Sequence, residues 1–117
     1  MITDPGILSI RVDASLYFPN ARFLEDTIND AVAENPDIKH LILVCPAVNT
    51  IDLSALESLE AINLRLKDSG ITLNMSEVKG PVMDRLNGTH FLKALTGKVY
   101  LTQFEAVSAL RKELEIN

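Results

Sequence analysis

Leu41-Ile42-Leu43-Val44-Cys45 is the stretch on which the fold turns. It has no polar alternation, as a parallel strand covered on both faces requires, and this places it at the centre of a sheet. On its N-terminal side Leu24, Ile28, Ala31 and Val32 recur at helical spacing, with Glu25, Asp26, Asn29 and Asp30 between them. That pattern is a one-sided amphipathic helix. The helix is expected to begin at an Asn20 N-cap and to stop near Asn35-Pro36, because proline disfavours helical geometry in the residue before it. On the C-terminal side Ser54-Ala55-Leu56-Glu57 fits a capping box and opens a second helix, with Ala55, Leu59, Ile62 and Leu66 as its apolar stripe and Asp68-Ser69-Gly70 as its stop.

Working further outward, Leu8, Ile10 and Val12 alternate with Ser9 and Arg11, the pattern of a sheet-edge strand with one wetter face. Leu16-Tyr17-Phe18 is a second short strand candidate. Ile71, Leu73 and Met75 alternate with Thr72 and Asn74 as another strand. Gly80-Pro81 opens a short helix over 82–87, closed by Gly88. A turn at 90–95 leads to the strand Val99-Tyr100-Leu101. Thr102-Gln103-Phe104-Glu105 is a second capping box, opening a last helix with Phe104, Val107, Leu110 and Leu114 on its buried side. The expected order is β-β-α-β-α-β-α-β-α. This is a single α/β domain, mostly parallel, with one antiparallel edge strand and about four flanking helices.

Composition sets the outer bounds. The chain has 117 residues, one domain's worth, with 47% hydrophobic and 23% charged residues. Eleven Lys+Arg against 16 Asp+Glu give a formal charge of −5 and a pI near 4.9, which argues against a phosphate-backbone partner. The longest apolar run falls far short of the ~20 residues of a bilayer span. The start, Met1-Ile2-Thr3-Asp4-Pro5-Gly6, lacks the regions of a secretory signal, and a single cysteine fits a reducing, cytosolic setting.

His40 and His90 stand at no metal-ligand spacing from each other or from Cys45, so no metal site is expected. Neither a phosphate-binding glycine motif nor a nucleophile elbow occurs. Cys45 reads as a buried inert thiol and His90 as a surface or helix-end residue. The loop Val48-Asn49-Thr50-Ile51-Asp52-Leu53-Ser54 is different. It leaves the C-terminal end of the central strand and enters a helix N-terminus, where open α/β sheets keep their sites. Asn49, Thr50, Asp52, Ser54 and Glu57 form the candidate partner- or nucleotide-binding loop. A phosphate on Ser54 would lie at the positive end of the helix dipole, so Ser54 is the candidate phosphoacceptor. Its other reading is structural, as a capping serine paired with Glu57.

Ile51-Asp52-Leu53-Ser54-Ala55-Leu56 resembles the signature loop of STAS domains, the fold shared by sulfate transporters and anti-sigma factor antagonists. The antagonists carry Asp-Ser-Ser-Gly there and are phosphorylated on the second serine. Asp52 and Ser54 match, while Leu53 and Ala55 replace the first serine and the glycine. Ser15-Leu16-Tyr17-Phe18-Pro19-Asn20-Ala21, preceded by residues 6–12, is similar to the approach to the first helix in the C-terminal STAS domains of SulP-type anion permeases. The resemblance runs from Gly6 to Leu114. It implies a non-catalytic regulatory and interaction domain on the cytoplasmic face of a membrane transporter for sulfate or a related anion. The implied partners are the transmembrane domain of the same polypeptide, a cytosolic regulatory protein or a second copy of the chain; nucleic acid is not among them. It implies no cofactor beyond weak nucleotide binding. The alternatives are a stand-alone antagonist switched by phosphorylation of Ser54 and a small nucleotide-binding switch. A further expectation is that Glu57 and Glu60 are exposed and face a partner.

Overall fold

The computed structural model describes residues 2–15 and 18–116. In chain order these form β1 (Ile2–Asp4), β2 (Ile7–Arg11), α1 (Phe18–Glu34), β3 (His40–Val44), α2 (Leu53–Asp68), β4 (Thr72–Ser76), α3 (Gly80–Leu86), α4 (His90–Ala94), β5 (Val99–Tyr100) and α5 (Gln103–Ile116). The strands lie side by side in the order β1-β2-β3-β4-β5, with β1 antiparallel to β2 and the remaining pairs parallel. The Leu41 run is thus central, and an antiparallel strand does occupy an edge.

The initial β pair is made of residues other than those expected. Residues 2–4 fold back on β2 through Pro5-Gly6, and Gly6 takes φ +80, which a side chain would resist. Phe18, read as strand, begins α1; Leu16 and Tyr17 lie outside the described residues. Proline is tolerated in a first helical turn, where N–H groups lack partners anyway, so Phe18-Pro19 is compatible with helix as well as with extended chain. Asn20 accordingly lies inside the helix instead of capping it, and its Nδ2 donates to Ser15 O at 2.7 Å. Residues 90–95, read as a turn, contain α4, capped by Thr89 Oγ1 accepting from Leu92 N.

The two faces of the sheet differ in chemistry. Register aligns Leu8 with Leu41 and Leu73, and Ile10 with Leu43, Met75 and Val99. These wholly apolar rows pack against α1, α2, α3 and α4 through Leu24, Ile28, Leu59, Ile62, Leu86 and Phe91, forming the main core. The opposite face carries Ser9, Ile42 and Asn74 in one row and Arg11, Val44, Ser76 and Tyr100 in the next. α5 covers it with Ala106 and Leu110, making a smaller cluster with Ile7 and Ile42. β2 is therefore an inner strand, not an edge. On its wetter face, read from Ser9 and Arg11, Ser9 is buried beneath α5 and Arg11 stays exposed.

Gln103 explains how polar residues survive there. Its Nε2 donates to Ser9 Oγ at 2.8 Å, its Oε1 accepts from Ser76 Oγ at 2.7 Å, and its backbone N donates to Glu77 Oε2 at 2.6 Å. Buried hydroxyls without such partners would be costly. The second capping box is half realised. Thr102 Oγ1 accepts from Glu105 N, but the carboxylate at the helix start comes from Glu77, which holds φ +58 at the end of β4. Phe104 points outward and is 80% exposed, against the expectation of burial. The buried stripe of α5 begins at Ala106.

Candidate functional site

The loop after β3 is held from both ends by apolar anchors. Val48 and Ile51 are buried, while Asn49, Thr50, Asp52, Leu53 and Ser54 face solvent. Neighbouring elements fix its backbone. Asn49 N donates to Ser15 Oγ at 3.2 Å, Lys79 Nζ to Asn49 Oδ1 at 2.6 Å, and Arg85 Nε to Ile51 O at 2.6 Å. Thr50, Asp52, Pro81 and Arg85 line a shallow open depression beside it.

Asp52, not Ser54, is the N-cap of α2. Its Oδ1 accepts from Ala55 N at 2.8 Å, and its carbonyl accepts from Leu56 N at 3.0 Å. Asp and Ser cap about equally well, so two candidates two residues apart compete, and an aspartate adds a negative charge at the positive helix end. The expected Ser54–Glu57 capping box is therefore not formed. Ser54 becomes the second helical residue, exposed, with no hydrogen bond to its hydroxyl among the described residues. A phosphoryl group on Ser54 would not displace a cap. It would sit in the first turn of a 16-residue helix, where backbone N–H groups favour an anion.

Glu57 is exposed one turn further along α2. Glu60, expected to be exposed, is half-buried, and its Oε1 lies 3.2 Å from His90 Nδ1. α4 packs on α2 and brings His90 over that position, while His90 itself stays exposed as expected. His40 is buried in the sheet with Nδ1 2.6 Å from Thr72 Oγ1. Burial lowers its pKa, and the Glu113 carboxylate opposes this in part. Cys45 is buried, and burial pushes its thiol up to about 12, so it is inert as a nucleophile. Among the described residues no three His, Cys, Asp or Glu side chains are grouped to hold a metal. Lys79 and Arg85 escaped the sequence reading. Each meets the loop across at least 30 positions, a separation at which local patterns carry no signal.

The STAS domain profile matches residues 1–106. This chain belongs to the STAS family. The STAS domain is 30% identical over 120 residues to sulfate transporter 1.3 of Arabidopsis thaliana, covering 94% of this chain and 18% of the relative. It is 31% identical over 115 residues to sulfate transporter 1.2 of the same plant, covering 90% and 18%. The STAS domain thus spans less than a fifth of these relatives. Its fold is that of the SulP transporter STAS domain from Vibrio cholerae, with a TM-score of 0.81 at 20% identity over 99% of this chain and 89% of the other. The murine Slc26a9 anion transporter in its inward-facing state contains the same fold, with a TM-score of 0.81 at 16% identity over 93% of this chain and 18% of that one. No helix among the described residues of this STAS domain is long and apolar enough to cross a membrane.

Proposed function

We propose that this STAS domain is the regulatory and interaction domain of a SulP-type secondary transporter of sulfate or a related anion, joined to membrane-spanning segments of the same polypeptide and facing the cytoplasm. The observation that carries the reading is the coverage: sulfate transporters match 94% of this chain with 18% of their own length. The role is non-catalytic. Its one thiol is buried with a raised pKa, and the loop offers no nucleophile held by a base. The test is labelled-sulfate uptake by the full-length transporter with and without this domain. Uptake lowered or lost on deletion, at unchanged protein level, is expected. Unaltered uptake and regulation overturn the reading.

A second reading is favoured by one feature, the exposed hydroxyl of Ser54, which has no hydrogen bond among the described residues, beside a cap already supplied by Asp52. We propose Ser54 as a phosphoacceptor that alters partner binding at the Asn49–Glu57 surface. Intact-mass measurement of the protein from cells would detect the phosphate. An unmodified protein whose partner binding is the same in Ser54→Ala and Ser54→Asp removes this reading. Weak nucleotide binding is proposed for the same loop, and ATP titration should shift amide resonances of residues 49–54 alone.

A further inference from the structure

α5 is held by two different kinds of contact along its length. At its start the Gln103 amide joins Ser9 and Ser76, and Ala106 and Leu110 are buried. Beyond Leu110 the attachments thin out. Leu114 is half-buried and rests on Gly6, so closely that a Cβ at that glycine would collide with its Cδ1. Arg111 Nη2 meets Asp4 Oδ1 at 2.6 Å, a largely exposed ion pair of a kind worth little in water. Glu113 is exposed at the rim of a small cavity lined also by Thr72, Asn74, Lys98 and Tyr100.

A buried histidine lies under this weakly held half. His40 stands in the row Ile7, His40, Thr72, on the sheet face that α5 covers. Its backbone N donates to Gly6 O at 3.1 Å, so Leu114 packs on the same turn that fixes the start of β3. Its ring Nδ1 is 2.6 Å from Thr72 Oγ1, and that oxygen already accepts from Asn74 Nδ2 at 2.9 Å. Thr72 therefore has its own O–H to donate, and a ring that accepts it at Nδ1 is neutral. The surroundings offer a proton little compensation. β2 presents Ile7, and β4 presents Thr72 and Asn74, all uncharged. Asp4 of β1 is engaged by Arg111, Lys39 precedes the ring in the chain, and Lys98 and Tyr100 line the cavity with Glu113. Among the described residues, Glu113 is the carboxylate whose charge favours protonation, and burial outweighs it.

We propose that the C-terminal half of α5 is a pH-sensitive latch, closed over a neutral His40 and released when that ring takes a proton. Opening admits water to the ring and returns it to the ordinary 6.5. Above that value the ring is neutral with the helix open or closed, and the latch has its full strength. Below it the open form binds a proton first, so the closed form loses population until its own ring is protonated. Release opens the cluster of Ile7, Ile42 and Leu110 while Gln103 still holds the start of the helix, and acid thereby exposes an apolar patch.

Amide exchange, read residue by residue and divided by the intrinsic rate at each pH, tests the latch. Amides of residues 111–115 should exchange faster than those of Leu41 and Leu43 in β3, through an opening of their own. Their corrected rate should rise from one pH unit above 6.5 to one below it, with about tenfold as the ceiling that a single proton sets. His40→Gln should abolish that rise. Glu113→Gln keeps the ring and removes the charge that favours the proton, so the rise should continue to lower pH before it levels off; this variant carries the test if His40→Gln does not fold. Rates at 111–115 equal to those of β3 mean that the helix has no separate opening and overturn the proposal. A corrected rate indifferent to pH, a rise that survives in His40→Gln, or a levelling point unmoved in Glu113→Gln overturns it as well.

Discussion

The carboxylate of Asp52 holds the first turn of α2 through Ala55 N. Asp52→Ala should cost about 1 kcal/mol in urea unfolding, the usual cost of a lost N-cap, whereas Ser54→Ala should be close to neutral. The reverse order would restore Ser54 as the cap. His40 makes a second residue-scale prediction. Thr72 Oγ1 accepts from Asn74 Nδ2 at 2.9 Å, so its own O–H is free to donate to His40 Nδ1, which requires the neutral ring. Burial lowers the folded pKa below the ordinary 6.5. Above that value the ring is neutral in both states and its contribution to stability is complete. As pH falls through it, the unfolded chain binds the proton first, and stability is lost until the folded ring also protonates. Thermal melts should therefore show Tm falling as the pH drops below the ordinary 6.5, with a smaller fall in His40→Gln.

At the scale of elements, α5 is attached differently from α1 and α2. Its start is pinned by Gln103 to Ser9, Ser76 and Glu77, while Ala106 and Leu110 supply a small apolar contact. Gln103→Ala leaves two buried hydroxyls without that partner. It should destabilise the domain by roughly 1–3 kcal/mol and speed amide exchange in α5 more than in β3. Equal acceleration in both would mean that α5 does not open separately. Elements were legible wherever pattern is local. The Leu41 run, the α2 stripe of Ala55, Leu59, Ile62 and Leu66, and the Pro81 helix start all appear where their spacing puts them. Phe104 and Ser9 were misplaced because periodicity tells which residues share a face, not which neighbour covers it. α4 was missed because five residues carry too little pattern to separate a helix from a turn.

Across the whole molecule, one sheet separates a large apolar core from a smaller mixed one. Amide exchange should rank accordingly. Leu41, Leu43 and Leu73, buried in the sheet's central strands, should exchange only with global unfolding, and α5 amides earlier. A uniform exchange rate across both layers would show that the two clusters unfold as one. The segment 96–98 ties the last strand to both the sheet and the main core. Asn63 on α2 accepts from Thr96 N, and Asn74 on β4 accepts from Lys98 N. Gly97 lies so close to Asn74 that no side chain fits between them. The layers thus meet through buried amides as well as through apolar contact.

By itself the sequence determined the parallel α/β architecture, the central strand, the burial of Cys45 and the position of the loop at 48–54. Each depends on local periodicity, on a turn residue, or on the motif around Asp52 and Ser54 that resembles the STAS loop. Tertiary structure alone decided that Lys79 and Arg85 close on the loop, that Gln103 satisfies the polar face, and that Phe104 is left exposed. Those outcomes depend on pairs brought together from distant positions by the register of β2, β3 and β4. A hydrogen bond or an exposed side chain is settled by what stands opposite it in space, and no spacing along the chain encodes that.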